Sequence, residues 1–356
     1  MKKILFVTGN LDRGGAQRVL GLLADYYCDM GVETHVAMLF NNKVGYIIHS
    51  QLILHDVSCQ GNYFKNLFPM IQKLRNTINS INPDVIVSFA GRINMVTMLA
   101  KIGLSIPVIL SERNDPANDR RSGPERLLCK LFYSKAEKVV FQTNYQASFY
   151  KKWCKNNGVI IGNPISAPVY EGEHPVKDII CVGKLMEQKN HPMMVDAFAM
   201  IANDFPETQV FIYGEGPEER NILNIIDSRG MKGRIHLCGN TDQMFEVMHK
   251  YQYFVMCSNY EGLSNALLEA MISGMTCITT NWNGADEVIT DNVNGYLVPV
   301  DDSKALAEKM RIVLKTDNNN ITRQAIKSAN EFEMGNVFSK WNKVIEKVAR
   351  SEANIP

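Results

Sequence analysis

Short, unbroken apolar runs alternate with longer segments whose apolar residues recur at helical spacing, from one end of the chain to the other. KILFVT (3–8), ETHVAMLF (33–40), residues 51–57, DVIVSF (84–89), VILSE (108–112) and KVVFQT (138–143) read as strands of a parallel sheet, which is covered on both faces. Helical patterns fill 16–30, 64–78 and the stretches that begin near 94 and 124. Pro69 should break or kink the second of them. Asn163-Pro164 and the proline-bearing segment 167–175 then read as a linker. The alternation restarts with strands DIICVGKL (178–185), QVFIYGEG (209–216), RIHLCG (234–239) and YFVMCS (253–258). Helices are expected at 191–203 and 217–229, with Pro217 in a first turn, and a last one at 337–350. Two series of alternating strands and helices predict an α/β chain of two doubly wound, Rossmann-like domains facing a central cleft. Ligands of open α/β sheets bind outside the C-terminal strand ends, and every candidate motif below sits at one.

The stretch Ser258 to Met271, SNYEGLSNALLEAM, is the centre of the second series. Glu269 stands among Leu267, Leu268, Ala270 and Met271 in a helix that reads as mostly buried. A buried carboxylate needs donors, because losing hydration costs several kcal/mol. The two hydroxyls of a ribose edge would supply them. Glu261 precedes the helix. The backbone N–H groups of Gly262, Leu263, Ser264 and Asn265 are expected to be first-turn donors and to form an anion site.

Lys184 and Lys189, in VGKLMEQKN, leave the first strand of the second series together. Departure of a diphosphate builds negative charge. The chain has no D-x-D and no metal-ligand cluster, so cations would have to stabilise that charge. A unit charge at ~4 Å contributes roughly 4 kcal/mol at an effective dielectric of about 20. Gly14-Gly15 joins the first strand to the first helix and would let backbone approach a ligand. It is not G-x-G-x-x-G, which disfavours a dinucleotide oxidoreductase. Gly214 and Gly216 are assigned to turn geometry. Arg113, in SERNDP, follows another strand, where it could meet a substrate or only Glu112 or Asp115.

Glu261-x7-Glu269, followed by Gly274, Gly284, Glu287, Val288 and Asn294-Gly295, resembles the glutamate pair and following run of retaining glycosyltransferase family 4, of GT-B fold and bacterial cell-surface glycan type. The resemblance covers nearly the whole chain, most strongly about 180–300. It implies an acceptor-side domain at 1–165, a nucleotide-sugar domain at 166–335, and a helix within 336–356 crossing back to the first domain. It implies transfer of a hexose or N-acetylhexosamine from a nucleotide-diphosphate sugar, UDP-linked by preference, to a glycan acceptor on a polyprenyl diphosphate. Glu269 would hold the ribose and Glu261 the donor sugar. Lys184 and Lys189 would contact the diphosphate, the Gly14-Gly15 loop would contribute to the diphosphate and acceptor side, and Gly239 and Asn240 would meet the base. Arg113 stands where many members have a histidine beside the sugar. No cofactor or metal is expected. Two rival readings remain open: a UDP-sugar epimerase of the same fold, and a non-catalytic two-lobed sugar-binding protein.

Charge adds one feature. The whole chain carries a net +1, which gives no general attraction to nucleic acid. Residues 1–165 hold 20 Lys and Arg against 11 Asp and Glu, and the remainder has 18 against 26. In the basic half, Arg120, Arg121, Arg126, Lys130, Lys135 and Lys138 surround an apolar face of Leu127, Leu128, Leu131 and Phe132. Phe64, Leu67, Phe68, Ile71 and Leu74 with Lys65, Lys73 and Arg75 form a similar stretch. Both read either as core helices with solvated faces or as contacts to an anionic membrane surface. The eight cysteines have no paired spacing, and Cys181, Cys238, Cys257 and Cys277 read as buried hydrophobes. With no secretory pattern at the N-terminus and no membrane-length apolar run, a cytoplasmic protein, peripheral on the inner membrane face, is expected.

Overall fold

The computed structural model describes residues 1–351 except Arg13, Gln60, Asn62, Arg120, Glu171 and Glu173, and for Phe64 and Ser351 the backbone alone. Arg120 and the Phe64 side chain, named above for the basic and apolar stretches, therefore lie outside the described residues. The chain divides into two compact units, Met1–Pro164 with Met334–Pro356, and Ile165–Glu333.

The first unit is built on β1 (Lys3–Thr8), β2 (Glu33–Met38), β3 (Ile53–Asp56), β4 (Val85–Phe89), β5 (Val108–Ser111), β6 (Lys138–Phe141) and β7 (Gly158–Ile160). They form one sheet in the order β3-β2-β1-β4-β5-β6-β7, every pair parallel. The second unit has β8 (Val176–Val182), β9 (Val210–Tyr213), β10 (Ile235–Gly239), β11 (Tyr251–Met256), β12 (Thr276–Thr280) and β13 (Tyr296–Val298). Their order is β10-β9-β8-β11-β12-β13, again all parallel. The winding direction reverses between β1 and β4 and between β8 and β11. Such a switch leaves a crevice at the strand C-terminal ends, because the two following loops diverge to opposite faces.

Apolar alternation explains the layers. In β1, Leu5 and Val7 pack on one side with Ile86 and Leu110, and Ile4 and Phe6 on the other with Val85 and Val87. The helix Met334–Ser351 covers that second side. Its Val337, Phe338, Trp341, Ile345 and Val348 are buried there at helical spacing. Trp341 stacks on Phe89 with ring centroids 5.7 Å apart. This helix therefore belongs to the first unit's core although it follows the second unit in sequence.

The elements differ from expectation in several places. The helix Tyr63–Ile81 continues through Pro69. Met70, Leu74 and Ile78 are buried on one face, and this packing outweighs the hydrogen bond that proline removes. The first helix of the second unit is shorter than expected, His191–Ala199, and the next begins at Glu219, so Pro217 precedes its first turn. A short helix at Asn144–Tyr150, capped by Thr143, was not foreseen. Cys238 is exposed, while Cys181, Cys257 and Cys277 are buried. It lies on the edge strand β10, which has a neighbour on one side only.

Candidate functional site

Two loops meet at the β8/β11 switch point of the second unit. One, Gly183 to Asn190, follows β8; the other, Cys257 to Ser264, follows β11. They are laced together by polar groups. Asn259 N donates to Gln188 O at 2.8 Å, Gln188 Nε2 donates to Tyr260 O at 2.8 Å, and Asn190 Nδ2 donates to Asn259 Oδ1 at 2.9 Å. Thr280, from the end of β12, donates its hydroxyl to Ser258 O at 2.6 Å.

Lys189 and Glu261 come together in this lacing. Lys189 Nζ lies 2.5 Å from Glu261 Oε1, and Ser258 Oγ donates to the same oxygen at 2.6 Å. The Lys189 side chain is 18% exposed and that of Glu261 9%, so the pair is largely withdrawn from water. The Lys189 stem runs along Gly183, where an added Cβ would sit 3.2 Å from its Cε. Lys184, by contrast, is exposed and makes no ion pair among the described residues.

The loop after β8 is fixed from beneath by the loop after β9. Leu185 N donates to Glu215 O and Glu218 N to Leu185 O, both at 3.0 Å. This contact requires glycine. A Cβ on Gly214, whose φ is +145°, would lie 2.0 Å from Gly183 O, and one on Gly216 would lie 2.3 Å from Leu185 O. The two glycines thus do more than turn the chain: they admit the lysine loop. Gly214 N also donates to Gly239 O at 2.8 Å, which brings the end of β10 alongside. Gly239 has a φ of +67° and Asn240 is exposed beside it.

His191 was missed by the sequence reading. It is 5% exposed, its ring faces the backbone of Gly183 and Lys184, and its Nε2 has no partner among the described residues. Burial, helped by the Lys189 charge, lowers its pKa to about 4, so the imidazole is neutral at pH 7. The available signal was its place directly after the lysine loop and before Pro192.

Glu269 is 5% exposed on the helix Asn265–Ile272, in a row of buried residues from Leu267 to Ile272. The first-turn donors are not those expected. Ser264 caps the helix, its Oγ accepting from Leu267 N at 3.4 Å, so Gly262 and Leu263 belong to the preceding loop. The side chain of Ser264 competes for the backbone there and delays the helix.

In the first unit, Gly14 caps the helix Gly15–Asp29 in an extended conformation. Its N–H donates to the Tyr46 hydroxyl at 2.7 Å, which in turn donates to Gly14 O at 3.1 Å. Arg113, after β5, is turned into the unit. Nη1 donates to Asn163 Oδ1 at 2.9 Å, and the guanidinium lies 4.4 Å over the Phe89 ring and 5.7 Å from that of Trp341. Nε and Nη2 have no partner among the described residues, and burial lowers the pKa to about 9. Glu112 and Asp115 do not hold its side chain. Glu112 instead accepts from Arg121 Nη2 at 3.1 Å and from the Tyr133 hydroxyl at 2.6 Å.

Among the described residues no group of three or more His, Cys, Asp and Glu could hold a metal ion. No helix among them is long and apolar enough to cross a membrane.

Residues 169–332 match the model of the family Glycosyl transferases group 1. A Campylobacter jejuni relative is 27% identical over 98% of this chain and 99% of its own length. Its name is GalNAc-alpha-(1->4)-GalNAc-alpha-(1->3)-diNAcBac-PP-undecaprenol alpha-1,4-N-acetyl-D-galactosaminyltransferase. A second from the same organism, an N-acetylgalactosamine-N,N'-diacetylbacillosaminyl-diphospho-undecaprenol 4-alpha-N-acetylgalactosaminyltransferase, is 24% identical over 89% of this chain and 91% of its own. The crystal structure of Anabaena HepE in complex with UDP-glucose superposes with a TM-score of 0.83 at 16% identity, covering 98% of this chain and all of that one. The two-unit parallel α/β architecture is the GT-B fold.

Proposed function

We propose, from the GT-B fold and the group 1 glycosyltransferase match over 169–332, that this chain is a retaining, metal-independent glycosyltransferase. It moves a hexose or N-acetylhexosamine from a UDP-sugar to a glycan acceptor carried on a polyprenyl diphosphate, in surface glycan synthesis. The carrying observation is the Lys189–Glu261 pair at the β8/β11 switch point. It presents a cation for a departing diphosphate and a carboxylate for sugar hydroxyls side by side, in a setting mostly withdrawn from water. Fixed charges in such a setting stabilise developing charge with little reorganisation.

In this reading Lys184 reaches the diphosphate from solvent and Glu269 takes the ribose hydroxyls. Gly262, Leu263, Ser264 and Asn265 supply loop and helix-start contacts, and Gly239 and Asn240 lie under the base. Gly14, Gly15 and Arg113 are the first unit's candidates for substrate contact. The acceptor class follows the names of the Campylobacter relatives, both of which include undecaprenol diphosphate. Peripheral attachment to an anionic membrane face, through the basic first unit, accompanies it.

The test is binding of UDP, GDP, ADP and UDP-sugars by calorimetry, with and without magnesium, to wild type and Glu269→Ala. The reading expects metal-independent UDP binding that weakens about 100-fold in the variant, since charge-assisted hydrogen bonds to ribose contribute on the order of 1.5–3 kcal/mol. Equal binding by the two proteins would remove Glu269 from the donor site.

A further inference from the structure

The N-terminal ends of the second unit's strands, opposite the lysine loop, border a groove of about 590 Å³. Its walls come from the start of β8 (Lys177), the start of β12 (Thr276), the turn at Gly274 and the first turn of the helix Asn319–Ala329, which brings Thr322 and Arg323. Nothing in the proposed donor site uses these residues, because parallel strands place the two ends of the sheet apart.

Three features point to an anionic occupant. Lys177 and Arg323 are both exposed at the rim, and among the described residues neither side chain has an ion-pair or hydrogen-bond partner. Surface cations without partners along one concave wall attract anions. Thr276 is fully buried, yet its Oγ1 has no hydrogen-bond partner among the described residues. A buried hydroxyl left unpaired is destabilising, and a ligand oxygen would relieve it. Gly274 keeps the turn open: its φ is +73°, and a Cβ there would lie 2.9 Å from Tyr170 O. The helix end itself adds little, since Asp317 already accepts from Asn319 N at 3.0 Å. The cations and the hydroxyl therefore carry the site. Glu171 and Glu173, neighbours of Gly172 in sequence, lie outside the described residues.

We propose that this groove binds a small phosphate-bearing metabolite of sugar size, with Lys177 and Arg323 on the phosphate and Thr276 on an oxygen of the ligand. A volume of this order suits a monosaccharide phosphate and is larger than inorganic phosphate needs. The site is independent of the donor reading.

The experiment titrates the full chain with glucose 6-phosphate, inorganic phosphate and glucose, followed by calorimetry and by protein NMR shifts. It is repeated at saturating UDP and with Lys177→Ala/Arg323→Ala and Thr276→Val. The expected result is saturable glucose 6-phosphate binding, tighter than that of phosphate and absent for glucose. It weakens about tenfold or more in the double variant, as loss of charged hydrogen bonds predicts, and less in Thr276→Val. UDP leaves it unchanged. No saturable binding, or equal binding by the double variant, overturns the proposal, as does displacement by UDP. If UDP itself fails to bind, the donor reading falls and the groove is judged on its variants alone.

Discussion

Lys189 Nζ and Glu261 Oε1 lie 2.5 Å apart although they are 72 positions apart in the chain, and each follows one of the two strands at which the second sheet reverses its winding. The topology thus creates the pair: no local segment could form it, and the crossing loops hold it through Gln188, Asn190 and Asn259.

Because both side chains are mostly buried, removing one strands the other. Lys189→Met and Glu261→Gln should each cost on the order of 3 kcal/mol in stability, and the double change less than the sum. Denaturant melts of the three variants measure this. Lys189→Met should also lower kcat by about 100-fold, with KM for the donor changed less, because its charge acts on the departing diphosphate. A Lys189→Met enzyme with unaltered kcat would take Lys189 out of the leaving-group role.

Gly214 offers a test of how the lysine loop is seated. A methyl group there would meet Gly183 O at 2.0 Å, and the clash is with backbone, which cannot swing aside. Gly214→Ala should destabilise by more than about 2 kcal/mol, from overpacking plus an unfavourable φ, and should weaken UDP binding. Gly21→Ala is the matched control. That position lies within the helix Gly15–Asp29 and an added Cβ meets nothing within 4 Å, so a gain of roughly 0.5–1 kcal/mol is expected. Thermal melts of the two variants should move in opposite directions.

These contacts show where sequence reading succeeds and where it stops. Continuous apolar runs revealed the parallel strands because a sheet covered on both faces needs no polar alternation. Glycines at Gly214 and Gly216 were visible as turn residues, but their purpose depends on β8 and β9 being adjacent. Lys184 and Lys189 looked equivalent in sequence, yet Lys184 is exposed and Lys189 is paired with Glu261. The helix after Glu261 started two residues later than its apolar pattern suggested, because Ser264 caps it. Arg113 could not be placed from its neighbours Glu112 and Asp115. Its partners, Asn163 and the rings of Phe89 and Trp341, come from distant parts of the chain.

His191 predicts an acid limit. Its folded pKa of about 4 lies below the ordinary imidazole value of 6.5, so the unfolded chain takes up a proton that the native site refuses. Its contribution is intact above about pH 6.5 and is lost progressively as pH falls to about 4, amounting to roughly 3 kcal/mol at most. His191→Gln cannot titrate, so its stability should fall less steeply across that window. Urea midpoints at half-unit pH steps for both proteins give the difference, expected to approach one proton. Parallel curves would mean that the buried imidazole is protonated in the native state.

The helix Gly123–Lys135 divides its apolar residues between two settings, and this bears on the proposed attachment to a membrane. Leu128 and Phe132 pack against the first unit's core, whereas Leu127 and Leu131 are 59% and 48% exposed. Lys130, on the same helix, lies 4.4 Å from the Trp153 ring and 5.7 Å from that of Phe149, itself 40% exposed. Exposed leucines beside an aromatic-backed lysine suit the headgroup boundary of an anionic bilayer, where each basic residue contributes about 1 kcal/mol. The corresponding stretch on Tyr63–Ile81 is less free: Lys73 donates to Ser58 O and Arg75 to the carbonyls of Ala100 and Ile102. The prediction therefore separates the two helices. Leu127→Ser/Leu131→Ser/Lys130→Glu should reduce co-sedimentation with phosphatidylglycerol-containing vesicles about tenfold or more, with UDP binding unchanged. Lys73→Glu should have a smaller effect on vesicles. Equal sedimentation of wild type with neutral and anionic vesicles would remove the electrostatic part of the attachment, and an undiminished triple variant would remove this helix from it.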